Sequence, residues 1–352
     1  MFHLILTVCL AGSSEDCAPI LLPQAEAGTR AECEARAGRI AESWLKGRSG
    51  LVGAGSECLP TGELTALPLQ QVAPGVHVYI GDPVQMEESA DGRIANLGVV
   101  IGEASVAVID TGVSRAQGQE LFAAIRRLTD LPVSHVILTH MHPDHALGTS
   151  VFKEAGAEIL GHAAMPMALD IRARGYLDSI TRLYPPAEVI GTEITLPDRT
   201  VADRDSIDLG GRSLSLRAEG TAHTDNDLTV FDEATATLFT GDLVFRELAP
   251  VIDGSLTGWL QWLEVAPRPV PQVIVPGHGA VTDSWAEAIG PQTEFLTALR
   301  DATREAIAAG APMSDAVPQV TKSLQDMEDT WNSFPETAAR DATAAYKELE
   351  WE

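Results

Sequence analysis

Apolar positions along the chain switch period several times, and the switches mark its elements. Short apolar runs predict strands over residues 2–10, 76–80, 96–101, 106–109, 133–139 and 157–161. Helical spacing predicts helices over 29–46, 116–128 and 165–183, with another opening near His145; Pro185 and Pro186 stop the third. A second strand-rich set follows at 206–209, 214–218, 228–231, 237–240 and 273–275, with a helix over 256–265 inside it. Helices over 284–309 and 313–349 close the chain, and their aromatic residues Trp331, Phe334, Tyr346 and Trp351 are expected to pack. Strand and helix alternation argues for an α/β layered domain.

The expected division is a small cysteine-containing module at 1–68, a main domain at 69–283 joined through a linker at 69–74, and a helical extension at 284–352 packed on the main domain. Residues 47–68 read as a Gly-rich return. With 352 residues, 45% of them apolar, there is ample length for a large core. The formal charge of −26 opposes binding to phosphate backbones, so no nucleic-acid partner is expected and a small-molecule substrate is. No run reaches the roughly 18 to 20 apolar residues that span a bilayer. Residues 2–11 alone resemble an export segment, but they lack a preceding basic residue and a cleavage site, so they read as a strand; a trimmed signal replaced by Met1 stays open. Cys9, Cys17, Cys33 and Cys58 all fall within the first sixty residues, which suggests two disulfides of undetermined connectivity and an oxidising compartment. A four-cysteine zinc site is disfavoured for want of a Cys-x-x-Cys pair, and four free thiols remain an alternative.

The chemistry concentrates at Thr139-His140-Met141-His142-Pro143-Asp144-His145, where three of only nine histidines stand beside an aspartate after a buried strand. Neutral imidazole and carboxylate are the ligands of catalytic zinc. Pro143 biases His142 toward extended backbone, and alternation would then place His140, His142 and Asp144 on one side and His145 on the other. His162, at a strand end, is a weaker candidate for a supporting or substrate contact. Arg172, Arg174 and Arg182 lie on a helix that could cover the site, although a solvated face is the ordinary reading. Arg246 would either grip a substrate carboxylate by a forked contact or pair with Asp253.

His-x-His-x-Asp-His after a strand resembles the signature of the metallo-β-lactamase superfamily. Further motifs follow in that family's order: Ala222-His223-Thr224-Asp225, then Leu238-Phe239-Thr240-Gly241-Asp242, then Val275-Pro276-Gly277-His278-Gly279. Val108-Ile109-Asp110-Thr111-Gly112 matches the first motif upstream. The resemblance implies a four-layer αβ/βα sandwich with metal ligands on loops along one edge. It implies that His140, His142 and His223 hold one zinc, that Asp144, His145 and His278 hold a second, and that Asp242 bridges them. Asp110 would support the site from behind, and Asp144 would also take a proton as the leaving group departs. Iron or manganese suits the same donors.

The implied activity is two-zinc hydrolysis of a thioester, lactone, ester or amide, with a metal-bridging hydroxide as nucleophile. Asp242 stands where true β-lactamases carry Cys or Ser, so β-lactam cleavage would be a weak side activity. The appendage, Asp225 to Thr229, the turn Asp253-Gly254-Ser255-Leu256 and the acidic carboxyl-terminal helices are similar to zinc metallohydrolases found with periplasmic quinoprotein relay systems. This finer likeness implies a periplasmic or secreted location and a quinoprotein-system partner. Two alternatives stay open: a mononuclear iron persulfide dioxygenase, against which His145 with His278 speak, and a non-catalytic accessory protein of a quinoprotein system, against which the full donor set speaks.

Overall fold

Successive side chains of a strand face opposite ways, so a strand apolar at nearly every position must be covered on both sides. Residues 97–101 and 106–109 meet that description, and the layers of this protein follow from it. The computed structural model describes residues 1–352.

The amino-terminal segment folds as its own antiparallel sheet of β1 (Phe2–Leu10), β2 (Cys17–Ala27) and β3 (Leu51–Pro60), ordered β2-β1-β3, with α1 (Arg30–Leu45) against it. Thr29 opens α1 with a capping box: its hydroxyl accepts from the Glu32 amide while the Glu32 carboxylate accepts from its own. Cys9–Cys17 joins facing positions of β1 and β2, and Cys33–Cys58 ties α1 to β3 within the module's core. The expected pair of disulfides is present, and no cysteine is free. The module is anchored by fully buried Arg115 of the main domain, which donates to the Leu21 carbonyl and pairs with Glu154, itself bonded to the Trp44 indole.

Four strands were not foreseen in the chain pattern, each at a sheet edge; the shortest is β10 (Arg199–Val201). β2 carries Pro19 and Pro23, which argue against a central strand, and it occupies the sheet edge where proline is tolerated. β3 runs through the supposed Gly-rich return; it is the opposite edge, largely exposed, and so has no apolar alternation. The expected linker contains β4 (Gln70–Ala73), again an edge strand.

The first large sheet continues with β5 (Val76–Tyr79), β6 (Leu97–Ile101), β7 (Val106–Ile109), β8 (Val133–Ile137), β9 (Glu158–His162) and β10 (Arg199–Val201), ordered β10-β9-β8-β7-β6-β5-β4. It is antiparallel from β4 to β7 and parallel from β7 to β10. Between its strands run α2 (Arg115–Leu128), α3 (Pro143–Ala146), α4 (Thr149–Glu154), α5 (Met165–Leu183) and α6 (Pro186–Val189). The second sheet holds β11 (Arg204–Asp208), β12 (Ser213–Ala218), β13 (Leu228–Asp232), β14 (Thr237–Phe245) and β15 (Val273–His278) in sequence order. Around it lie α7 (Leu256–Leu263), α8 (Trp285–Ala308), α9 (Met313–Ser323) and α10 (Phe334–Leu349).

Alternation in β6 and β7 now has a visible purpose. Val99, Val106 and Val108 pack with Leu121, Phe122 and Ile125 of α2, whereas Val100, Ala107 and Ile109 meet Leu214, Leu216, Val230 and Phe239 of the second sheet. A third core joins β14 and α7 to α8, α9 and α10. The order is helices, sheet, sheet, helices: the four-layer sandwich. Trp331 and Phe334 are buried in the third core as expected, but Trp351 is 85% exposed because it lies past the end of α10.

One carboxyl inside that third layer gives a stability prediction. Asp341 on α10 is fully buried; Oδ1 accepts from the Ile252 amide at 3.0 Å and Oδ2 has no partner. Burial pushes its pKa up to about 7. The folded state therefore holds this proton more tightly than the unfolded chain, where an aspartate titrates near ~3.9. Stability is fully present below that lower value and is lost as pH rises toward the folded value. Asp341→Asn keeps the acceptor and removes the charge, so we expect it to stabilise the fold by about 1–3 kcal/mol near pH ~8 and to change little near pH ~4. Urea unfolding at the two pH values measures this; an identical effect at both would show that Asp341 ionises normally.

Candidate metal centre

β8 ends at Ile137, and the chain turns along the sheet edge through Thr139 and His140. His142 takes extended backbone before Pro143, which occupies the first position of α3. Helix geometry thus begins one residue too early for the expected alternation. Asp144 turns with His145 rather than joining His140 and His142, and that part of the expectation is corrected.

Two groups of donors meet: His140, His142, His223 and Asp242 in one, Asp144, His145 and His278 in the other. In the first, His142 Nδ1 lies 3.1 Å from His140 Nε2 and 3.0 Å from His223 Nε2. In the second, Asp144 Oδ2 is 3.4 Å from both His145 Nε2 and His278 Nε2. Asp242 reaches both. Its Oδ2 stands 3.6 Å from His140 Nε2 and 3.4 Å from both His223 Nε2 and His278 Nε2, and its Oδ1 stands 3.2 Å from His145 Nε2. All seven side chains are buried except His142, which is partly open.

The outer nitrogen of each ring has an acceptor. His145 Nδ1 meets Asp110 Oδ2 at 2.8 Å, His223 Nδ1 the Val251 carbonyl at 2.7 Å, and His278 Nδ1 the Ile94 carbonyl at 2.9 Å. His142 Nε2 meets Asp253 Oδ2 at 3.0 Å and His140 Nδ1 the Thr139 hydroxyl at 3.1 Å. With the proton held outside, each ring turns a lone pair inward. With all five rings neutral, five inward lone pairs beside two carboxylates have no hydrogen to share; His145 Nε2 and Asp242 Oδ1 have no hydrogen-bond partner. That arrangement fits cations.

Protonation of the bare cluster points the same way. Burial holds His223 down to about 3 and His140 well below the usual imidazole range. Burial also opposes charge on His278, but Asp242 and Asp144 outweigh it and raise the ring to about 9; His145 is likewise raised by Asp242, Asp144 and Asp110. Both carboxylates are held well below their usual range by these rings despite their burial. A metal ion entering here would displace the protons on His145 and His278.

Two glycines make the approach of the loops feasible. A Cβ at Gly277 would sit 1.8 Å from Asp242 Oδ1, and one at Gly241, whose φ is +51°, would sit 2.6 Å from Thr139. Any side chain at either position would push Asp242 out of place.

Asp110 lies directly behind the cluster, accepting from the Thr139 amide and hydroxyl as well as facing His145. His162 ends β9 at the same sheet edge but belongs to neither donor group; its Nδ1 accepts from the Ala164 amide at 3.0 Å. Arg246 neither faces the cluster nor pairs with Asp253: its guanidinium donates to the Ala280 and Val281 carbonyls. Arg172, read as one of a solvated set, instead forms a forked pair with Asp253, while Arg174 and Arg182 make no ion pair. The Tyr176 hydroxyl, one turn further along α5, is buried without a hydrogen-bond partner. Asp253, read from the sequence as a possible partner of Arg246 and as part of a family-like turn, instead faces His142 and Arg172.

Fold and site together define a class. The sequence pattern of the metallo-beta-lactamase superfamily matches residues 90–278, more than half of the chain. The chain belongs to that superfamily. A stretch of 45 residues, 13% of this chain, is 38% identical to the linear primary-alkylsulfatase of Pseudomonas sp. (strain ATCC 19151) and spans 8% of that enzyme's length. Among solved structures, the stereoselective inverting sec-alkylsulfatase Pisa1 from Pseudomonas sp. superposes with a TM-score of 0.62 at 14% identity, over 80% of this chain and 50% of that one. The metallo-beta-lactamase from Pontibacter korlensis superposes with a TM-score of 0.54 at 20% identity, over 66% of this chain and 99% of that one. At these identities the structural likeness speaks for the fold alone.

Proposed function

We propose that this protein is a two-zinc hydrolase that cleaves an ester-type bond in a small molecule: a thioester, lactone, carboxylic ester, amide or alkyl sulfate. The observation that carries the reading is Asp242, whose two oxygens reach both donor groups. Five imidazoles and two carboxylates are a donor set for zinc, with iron and manganese as the competing ions. Bound zinc would lower the pKa of a shared water and polarise the bond under attack. Asp144, kept ionised between His145 and His278, is our candidate for receiving a proton during turnover. Arg172 and Tyr176 on α5 cover the same edge, and we assign them to the substrate's oxygen atoms. Sulfate esters join the list because two similar proteins are alkylsulfatases.

The two disulfides support an oxidising compartment, hence a periplasmic or secreted protein, and the finer motif likeness supports association with a quinoprotein system. No helix is long and apolar enough to cross a membrane. Elemental analysis of protein purified without added metal, followed by a panel of a thioester, a lactone, an aryl ester, an alkyl sulfate and a chromogenic cephalosporin, tests the reading. Two zincs per chain and turnover of an ester-type substrate at least about 100-fold faster than the cephalosporin are expected, a discrimination of under 3 kcal/mol. One iron per chain with oxygen uptake in place of hydrolysis would overturn it.

A further inference from the structure

Away from the metal centre, a cavity of about 710 Å³ opens on the outer face of the second sheet. Leu214 and Leu216 point into the core between the sheets, so the intervening residues of β12 face outward, and Arg217 and Glu219 form the cavity floor with Arg204 of β11. Trp262 of α7 and Trp285 of α8 wall it, their rings edge to face with centroids 5.8 Å apart, and Arg268 lies on the loop above. The volume is that of an ordinary small-molecule site.

The charges in it are unevenly matched. Arg204 and Arg217 are direct partners across the antiparallel β11–β12 pair, where like charges are unfavourable. Glu219 is consumed by Arg217 at 3.2 Å and by the Thr229 hydroxyl at 2.8 Å. The other carboxylates lining the cavity are engaged as well: Asp205 faces Arg199, and Glu233 accepts from Ser215. Arg204 and Arg268 have no carboxylate partner. An anion seated between Arg204 and Arg217 would relieve the repulsion, and two indoles beside it offer flat apolar surface.

We propose that this cavity is a second ligand site, separate from the metal centre, which takes a small anion with a flat aromatic body. The anionic group sits on the Arg204–Arg217 pair and the ring against Trp262 and Trp285. Nothing in the proposal depends on the hydrolase reading.

Titration calorimetry of the whole protein with 2-naphthalenesulfonate as probe and 2-naphthol as its uncharged counterpart provides the test. One equivalent of the sulfonate is expected to bind, with naphthol at least about tenfold weaker, the cost of losing a charge-assisted hydrogen bond. Arg204→Gln with Arg268→Gln removes two exposed, unpaired cations, so the variant folds normally and affinity falls by at least about tenfold. Stripping the metals with a chelator leaves binding intact. Absence of saturable binding, undiminished affinity in the double variant, or loss of binding on chelation would each overturn the proposal, the last by placing the probe at the metal centre.

Discussion

Asp242→Ala is expected to abolish hydrolysis, with a loss greater than about 100-fold, because replacing even an outer partner of a metal ligand reaches that range. Its two oxygens stand within 3.6 Å of ring nitrogens in both donor groups. Its removal leaves five imidazoles with Asp144 alone and takes away the larger of the charges that hold His278 and His145 in their protonated form in the metal-free protein. Metal content should fall from two ions to one or none. Asp242→Asn, which preserves shape, should lose metal in the same way, and matched melting curves for the two variants would separate lost chemistry from lost fold. Retention of two ions and of turnover in Asp242→Asn would remove the basis for a shared centre.

Asp110→Ala should produce the second-largest effect, through a group that touches no metal. Asp110 is fully buried and receives three hydrogen bonds: from the Thr139 amide at 2.8 Å, from its hydroxyl at 2.7 Å and from His145 Nδ1 at 2.8 Å. Alanine leaves the Thr139 amide unpaired and the His145 ring free to turn, and it places an unsuited residue at a φ of +59°. A loss of about 2–4 kcal/mol in stability follows from the orphaned donors and backbone strain. Affinity for the ion at Asp144, His145 and His278 should fall about 10–100-fold. Asp110→Asn tolerates the backbone and accepts from the Thr139 amide, so it should recover much of the stability but little of the affinity, since its amide presents hydrogens to His145. Chelator competition alongside urea unfolding reads the two effects apart; unchanged affinity in both variants would assign Asp110 to stability alone.

What the chain disclosed beforehand depended on how local the cause was. β6 to β8 were legible because two-sided burial writes itself as continuous apolar residues, and the donors at 140–145 because chemistry is packed into six positions. β2, β3, β4 and β10 were missed since edge strands need no apolar alternation, and β2 carries two prolines besides. The start of α3 at Pro143, one residue before expectation, decided which donor group Asp144 joins. Acceptors for His223 and His278 are main-chain carbonyls of Val251 and Ile94, which any residue type supplies and no motif can announce. Arg172 and Asp253 are 81 positions apart and meet only in the finished fold. Arg246 illustrates the reverse error: a cation near the right strand satisfied by backbone oxygens.

The segment from Val251 to Gly258 supplies a carbonyl to one ring and a carboxylate to another, and it is grasped from the far end of the chain. Asp341 accepts from Ile252, and Glu348 accepts from the Leu256 and Thr257 amides and the Ser255 and Thr257 hydroxyls. Both anchors lie beyond His278, where the recognisable family pattern stops. Trimming the gene at that conventional boundary would therefore keep every donor yet discard the scaffold that aims two of them, so sequence surveys that compare only the shared region overlook part of what makes this centre.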